Sequence, residues 1–415
     1  MTSDQLYNDD VPRWFTGSEY THRVARAIAQ YGPIARTTLA QMLGLSQGAL
    51  SRITADLIYA GVIEELSQPP ASPTESETPQ NPRIPAQFAA KSTSERRGRP
   101  QTALQLRCDQ VSFLGANLHG QEIIMTQMDA LCRPLGESIT EPLRGYTPDE
   151  VAQQIADMTK RYVAQNRASN PEIAPVATLG VSVGGHHQSD RYVTYAPFMR
   201  WNGEVDFGGM LEQYSGLPSA VFNDIDSLLL REGWFGAAVG IDRFAVLTIG
   251  AGVGYSLAID GQAVDDPDKS FGLTGHIPLD FTGPRCSSGH VGCSASLTTD
   301  SIVNEYAAMV GHMVTYEQFV ADARAFVPAA VKLGGKIAYR LGTLIAIVAN
   351  IAMPKKVIIS GEGSFLVTMF IEEIRAGISS YRHSQTRPVE FEILDFRWSD
   401  WAEAAAARAI ARYIG

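Results

Sequence analysis

Apolar residues near the start of the chain recur at helical spacing in three stretches, Glu19 to Gln30, Thr37 to Leu43 and Gln47 to Ala60, and this periodicity predicts three short helices. Only Gly44-Leu45-Ser46 separates the second from the third. Gly44 suits the left-handed residue that ends a helix, Leu45 supplies an apolar plug beneath the turn, and Ser46 is a good N-cap for the helix that follows. In that third helix Leu50, Ile53 and Leu57 stand at i, i+3 and i+7 and face a core, which leaves Gln47, Gly48, Ser51 and Arg52 on the outer face near its N-terminus. From about Thr102 the pattern changes. Val111 to Leu118 and Ile123 to Met128 read as paired strands, and Thr147 to Asn166 as an amphipathic helix. Ala177 to Val183 and Phe244 to Ile249 are β-rich runs that each end in glycines. Residues 355–361 read as a short buried strand breaking into a glycine turn, and the alanine-rich Trp401 to Ile414 as a closing helix. This alternation predicts an α/β body.

Between the helical module and the body, the stretch Ser67 to Ser94 is dense in Pro, Ser, Thr, Gln and Glu and nearly free of large apolar residues. Such a composition buries too little surface to offset its ordering entropy, so a mobile linker is expected there. The longest apolar run, Leu341 to Met353, contains Gly342, Thr343 and Asn350 and stops at Pro354, short of the roughly 20 residues that cross a bilayer. It reads as a buried helix, and no membrane partner is expected. No repeat with a period of about 20–50 residues runs along the chain, so a solenoid or propeller is not supported.

Composition sharpens this picture. The 415 residues carry 34 lysines and arginines against 44 aspartates and glutamates, a net charge of −10, the wrong sign for coating nucleic acid or anionic lipid over the whole surface. Any contact with DNA must therefore be local. Four cysteines, with no leader-like stretch at the start, point to a reducing compartment and a cytoplasmic protein.

The helical module offers that local contact. A helix-turn-helix presents the N-terminal side chains of its second helix to the major groove, where Gln47 pairs with an adenine edge, Arg52 with guanine or phosphate, and Gly48 permits close approach. The other reading of the same pattern is a three-helix protein-interaction module. Gly61-Val62-Ile63-Glu64-Glu65 then reads as the first strand of a wing whose tip is the linker. Where the linker meets the body, Arg96-Arg97-Gly98-Arg99-Pro100 can lie extended in a narrow A·T minor groove with Arg97 and Arg99 inserted, or be no more than a solvated basic segment.

The order of motifs along the chain resembles the ROK family of repressors and sugar kinases, in particular its winged-helix transcriptional regulators of the N-acetylglucosamine- and xylose-repressor type. The motifs are the helix-turn-helix, the Gly-Arg-Pro segment, Gly180-Val181-Ser182-Val183-Gly184-Gly185, Trp201-Asn202-Gly203, Asn223-Asp224, Ile249-Gly250-Ala251-Gly252-Val253-Gly254, Gly275-His276, the Cys286 to Cys293 loop and Ile359-Ser360-Gly361-Glu362-Gly363. The resemblance implies an actin-like two-lobed sugar-kinase body with a sugar cleft between the lobes, assembled as a homodimer or homotetramer. It divides the chain into a winged helix-turn-helix domain over 1–66, the linker over 67–101, a first lobe over 102–224 completed by the C-terminal helix 397–415, and a second lobe over 225–396.

Several residues depart from the family's kinases. Their Asp-x-Gly-Gly-Thr turn corresponds here to Asn117-Leu118-His119-Gly120-Gln121, without the carboxylate, one glycine and the threonine, and Ala251 replaces a threonine of the second phosphate turn. Phosphoryl transfer needs such groups to cradle phosphate and hold magnesium, so ATP is not expected as a cofactor. Asn223 and Asp224 match the pair that binds sugar hydroxyls in family enzymes; here they are read as ligand-binding through charge-assisted hydrogen bonds, or else as a structural turn after a strand. Gly185 and His186 align with a Gly-Arg sugar contact, and His276 is carried over as a further ligand-site residue. The family's two sugar-binding glutamates are Leu273 and Ala295 here, which argues against an ordinary glucose-like effector. The family's zinc pattern is met by His276, Cys286 and Cys293, but Ser288 stands in place of the middle cysteine. Either His290 from the same loop completes a structural zinc site, or the loop simply carries two free thiols.

The resulting expectation is a ligand-responsive, sequence-specific DNA-binding regulator of carbohydrate genes, most simply a repressor, that binds double-stranded operator DNA and a small carbohydrate effector and is not an enzyme. The competing readings are an ATP-dependent carbohydrate kinase with an added DNA-binding head, and a DNA-binding protein whose ligand pocket has degenerated.

Overall fold

The computed structural model describes residues 13–66, 83–85, 88, 102–266 and 268–415. Arg97, Arg99 and most of the expected linker lie outside the described residues.

The N-terminal head opens with α1 (Glu19–Tyr31), whose first turn is capped by the Ser18 hydroxyl accepting from the Thr21 amide. After the short β1 (Ile34–Ala35) come α2 (Arg36–Leu43) and α3 (Gln47–Tyr59). The turn between them behaves as its residues dictate: Gly44 is left-handed with φ 65°, and the Ser46 hydroxyl accepts from the Ala49 amide at 3.2 Å. Leu50, Thr54 and Leu57 form the buried stripe of α3, with Ile53 only half-buried. Thr54 tolerates burial because its hydroxyl donates to the Ser51 carbonyl and accepts from Arg36 Nε.

The wing is built differently from the expected layout. β2 (Ile63–Leu66) pairs antiparallel with β3 (Ala103–Leu106), and β3 in turn pairs with β1. The returning strand thus comes from residues assigned by sequence to the first lobe. Leu104 and Leu106 are fully buried in the head core, which is why the strand joins the wing.

The chain divides into two compact units, residues 1–240 with 399–415 and residues 241–398. In the first, the head is followed by β4 (Ser112–His119), β5 (Glu122–Asp129), β6 (Ile139–Pro142), α4 (Pro148–Ser169) and β7 (Val176–Val183). A small antiparallel sheet of β8 (His186–His187), β9 (Val193–Ala196) and β10 (Trp201–Val205) leads into α5 (Phe207–Ser215), β11 (Ser219–Asn223) and α6 (Asp224–Trp234). The main sheet runs β6-β5-β4-β7-β11, with β7 and β11 parallel to β4.

The second unit repeats this plan. β12 (Phe244–Ile249), β13 (Val253–Ile259) and β14 (Gln262–Ala263) form an antiparallel run; then come α7 (Thr299–Val310), α8 (Tyr316–Arg324), the long α9 (Pro328–Ile351), β15 (Lys356–Ser360), α10 (Ser364–Met369), α11 (Ile371–Ser380) and β16 (Phe391–Ile393). The sheet order β14-β13-β12-β15-β16 matches the other sheet, strand for strand. The long apolar run noted in the sequence is the second half of α9, and Leu341, Leu344 and Ile345 are fully buried against this sheet. No described helix is long and apolar enough to cross a membrane.

The last helix, α12 (Ser399–Ile414), returns to the first unit and lies across β4 and β7. The approach is so close that a Cβ on Gly115 would stand 1.9 Å from the Ala402 carbonyl oxygen, and one on Gly180 2.4 Å from that of Ala405. Only small residues fit such a contact, which explains both glycines and the buried run from Ala404 to Ala407. α6 also packs on α12: half-buried Arg231 reaches the buried Glu403 at 2.6 Å and Asp400 at 3.5 Å. The boundary between the units therefore falls after residue 240, rather than at 224 as sequence suggested, because these ion pairs bind α6 to the first unit. At its other end α12 meets the head, where the Trp14 amide donates to the Tyr413 carbonyl at 2.9 Å, Arg26 donates to the Gly415 carbonyl, and His22 is paired with the Ile414 carbonyl at 2.7 Å.

Adding a single methyl at the closest point tests this packing. Gly115→Ala is expected to lower stability by about 1–3 kcal/mol, the range for overpacked cores, read as a lower urea midpoint with unchanged m-value.

Candidate functional site

The first candidate surface is the N-terminal half of α3. Gln47, Gly48, Ser51 and Arg52 are all exposed, and nothing lies within 4 Å of where a Cβ on Gly48 would stand. The buried stripe on the opposite face holds the helix against the head, so these side chains project from a rigid element. The N-terminal end of a helix also carries a partial positive charge, which favours a phosphate backbone.

The second candidate is the corner where β7 and β11 end. Asn223 caps α6, its Oδ1 accepting from the Asp226 amide at 3.1 Å, while its Nδ2 donates to the Gly185 carbonyl at 2.9 Å. The pair expected to act together is thus joined to the Gly185 turn. Asp224 accepts from the Ile225 amide through Oδ1 at 2.8 Å, and its other oxygen lies 3.0 Å from where a Cβ on Gly184 would stand. Burial pushes its carboxyl up to about 6, helped by the nearby Asp226 and opposed by the Ile225 amide. His186 is fixed by a 2.5 Å contact between Nδ1 and the Thr194 hydroxyl. His187 pairs with the Val183 carbonyl, and burial pushes it down to about 4, keeping it neutral.

Two positions, one in each unit, bear on the departures from the kinase pattern. Asn117, near the end of β4, is 2 % exposed, and its Nδ2 donates to Ser182 Oγ at 3.0 Å. Its amide is consumed inside the sheet. In the second unit, the Gly250-Ala251-Gly252 turn is faced by Glu362, whose Oε2 lies 3.0 Å from where a Cβ on Gly250 would stand. Burial raises the Glu362 carboxyl, as do Glu317 and Asp300, while the Ala251 amide hydrogen bond opposes the rise.

The third candidate is a hairpin in the second unit. His276, Cys286, His290 and Cys293 bring one donor atom each to within 4.8 Å of one another, and the Cys286 sulfur lies 3.7 Å from His276 Nδ1. A tetrahedral zinc with bonds of about 2.0–2.3 Å sets its donors roughly 3.3–3.8 Å apart, so two imidazoles and two thiolates fit such an ion after small side-chain adjustment. His276, expected at a ligand site as well as at a metal, belongs to this cluster. Leu273 is exposed and Ala295 half-buried, and neither can accept from a hydroxyl. Partial burial opposes it, yet the amides of Ser288, His290 and Gly289 pull the Cys286 thiol below its usual value; burial and the Cys286 sulfur push Cys293 up.

What positions the hairpin was invisible in the sequence. Arg340 of α9, 2 % exposed, donates through Nε and Nη2 to Asp280 Oδ2 at 3.2 and 2.9 Å and through Nη1 to Glu305 at 3.0 Å. Although burial raises it, hydrogen bonds from Thr282 and Arg340 hold Asp280 down at about 2. Sixty residues separate the partners, and no local pattern announces such a pairing.

A profile of the ROK family matches residues 135–413. The xylose repressor of Caldicellulosiruptor bescii is 22% identical over 373 residues, covering 86% of this chain and 86% of that protein. The DNA-binding transcriptional dual regulator NagC of Escherichia coli is 23% identical over 404 residues, covering 93% of this chain and 92% of that protein. Among solved structures, a ROK family transcriptional regulator described as a homolog of the E. coli Mlc protein superposes with a TM-score of 0.72 at 22% identity, over 95% of this chain and 96% of that one. The α/β architecture with its actin-like pair of matched sheets is therefore shared with that regulator.

The raised carboxyl of Asp224 sets a sign for pH dependence. A proton binds this group more tightly in the folded than in the unfolded chain, so its contribution is fully present below about pH 4 and is lost as pH rises through about 6. Between roughly pH 4 and pH 7, wild-type chain is expected to lose stability relative to Asp224→Asn in paired urea titrations; parallel profiles would show the carboxyl to be unperturbed.

Proposed function

The chain belongs to the ROK family, and from that premise we propose that it is a ligand-responsive, sequence-specific DNA-binding transcriptional regulator, a repressor of carbohydrate-use genes without kinase activity. The observation that carries this reading is the open face of α3, where Gln47, Gly48, Ser51 and Arg52 stand exposed on a capped helix of a winged head. Gln47 and Arg52 supply the bidentate donors that read adenine and guanine edges, Ser51 a smaller hydrogen bond, and Gly48 the clearance. Arg97 and Arg99 are assigned to the adjacent minor groove on composition alone.

The partner is a double-stranded operator with two half-sites, read by a homodimer or homotetramer acting in the cytoplasm. Half-sites one turn apart, about 34–36 Å, require two heads at matched spacing. The effector is a small carbohydrate or derivative held at Asn223 and Asp224 with Gly185 and His186. There the Asp224 carboxylate accepts sugar hydroxyls in charge-assisted bonds and prefers pH above its raised value. With no acceptor at 273 or 295, an effector other than a glucose-like sugar in the usual pose is favoured.

A kinase reading meets two physical obstacles. Asn117 has neither the charge nor the freedom to hold a metal–phosphate group, being tied to Ser182. At the second turn the Glu362 carboxylate faces the backbone, so a phosphate there would meet like charge. For the hairpin we assign a structural zinc held by His276, Cys286, His290 and Cys293; the ion would cross-link the loop, and Ser288 takes no part.

Three measurements test this reading. On an operator recovered by genome-wide footprinting, Arg52→Ala is expected to weaken binding about tenfold and relax base preference at one position, whereas Arg97→Ala weakens A·T-flanked sites most; equal losses on every duplex would contradict base reading. Incubation with ATP and a hexose panel is expected to yield no sugar phosphate, and turnover would overturn the assignment. Elemental analysis of chelator-free protein should find about one zinc per chain that Cys286→Ala removes, and below roughly a tenth of an equivalent the site is retired.

A further inference from the structure

The hairpin that carries the His/Cys cluster is held in shape by its own backbone and by Arg340. The Cys286 amide donates to the His290 carbonyl and the Gly289 amide to the Cys286 carbonyl, both at 2.9 Å. Pro278 bridges to Cys293, Leu279 donates to the Gly292 carbonyl at 2.8 Å, and Asp280 is locked to Arg340. These bonds involve none of the four donor side chains. The two sulfurs consequently remain within 4.8 Å of each other whether or not an ion lies between them. Cys286 is half-buried and Cys293 is 2 % exposed, so a soluble oxidant meets Cys286 first and finds Cys293 sheltered behind it. With serine at 288, no third thiol of the loop competes for either sulfur.

We propose that Cys286 and Cys293 form a reversible thiol–disulfide pair, closed by a peroxide-class oxidant, and that the disulfide and the metal compete for the same two sulfurs. In the first step the Cys286 thiolate attacks one oxygen of hydrogen peroxide; the O–O bond breaks, and the departing hydroxide takes up the thiol proton to leave as water. Cys286 is then a sulfenic acid. In the second, the Cys293 sulfur attacks the Cys286 sulfur; the S–S bond forms, the S–O bond breaks, and the hydroxide leaves as water with the Cys293 proton. Two thiols lose two electrons in total, and one peroxide becomes two waters. Oxidation removes both thiolates from the donor set and leaves His276 and His290, two imidazoles on an exposed surface that hold zinc weakly. The metal half of this inference rests on the zinc assignment above; the disulfide half does not.

The experiment treats the full chain with hydrogen peroxide in two forms, zinc-loaded and chelator-stripped. The readouts are intact mass and peptide mapping under non-reducing conditions, with a chromophoric chelator to read released zinc. In both forms the expected result is a loss of about 2 mass units mapped to a Cys286–Cys293 linked peptide and restored by dithiothreitol, with about one zinc released per disulfide in the loaded form. Cys293→Ser should abolish the 2-unit loss and instead accumulate oxygen on Cys286. Oxygen addition at Cys286 without a linked peptide in stripped wild-type protein, or a disulfide mapped to other cysteines, overturns the pair. A linked peptide in a chain that never takes up zinc supports the pair and sinks the metal assignment alone.

Discussion

Among the described residues of the first unit, an alanine helix is pressed tightly against two glycine-bearing strands. α12 approaches Gly115 and Gly180 so nearly that one added methyl group would strike its backbone, and this approach fixes where the rest of the unit must stand. Once α12 is seated, buried Asp400 and Glu403 hold Arg231 and with it α6, whose first residue is Asp224. The opposite end of the same helix meets the head through Tyr413, Ile414 and Gly415. The Asn223–Asp224 corner and the helix-turn-helix head are therefore both anchored to one helix through short, packed contacts. Were the proposed effector to bind at that corner, these packed contacts would be its route to the head, because packed interfaces shift between discrete arrangements rather than bending continuously.

Two positions beside glycine turns show how acidic and amide side chains are accommodated in a fold shared with solved ROK kinases. Replacing a carboxylate by Asn117 does more than remove a charge: the amide turns inward and satisfies Ser182, so the group that would face a phosphate becomes part of the sheet. In the second unit a carboxylate, Glu362, occupies the neighbourhood of a glycine turn, with two further acidic residues near enough to raise its affinity for a proton. Both side chains keep hydrogen bonds within their own units, Asn117 to Ser182 and Glu362 to the Ala251 amide, so neither is left unsatisfied on burial.

The His/Cys hairpin follows a different logic. Its shape is maintained by backbone pairing and by the buried Arg340 cluster, so the donor side chains are left free for chemistry. Because that frame is built from backbone pairing and the Arg340 cluster, the two sulfurs stand within 4.8 Å of one another by the fold alone.

Local signals were legible from residue types alone wherever the cause was local. The Gly44-Leu45-Ser46 turn, the exposed face of α3 and the alternation that makes an α/β body follow from φ preferences, capping and periodicity within a few residues, whereas the pattern of His276, Cys286 and Cys293 was legible only through the resemblance to a family. Resemblance to a family added the two-lobed plan and the Asn223-Asp224 pair. What remained hidden came from partners far apart in the chain. Strand β3 joins the wing across the linker, α6 belongs with α12 because of Arg231, and Arg340 finds Asp280 sixty residues away. Those pairings are settled by which buried charges and strand edges must be satisfied once the chain is compact, a condition that no short window of residues can state.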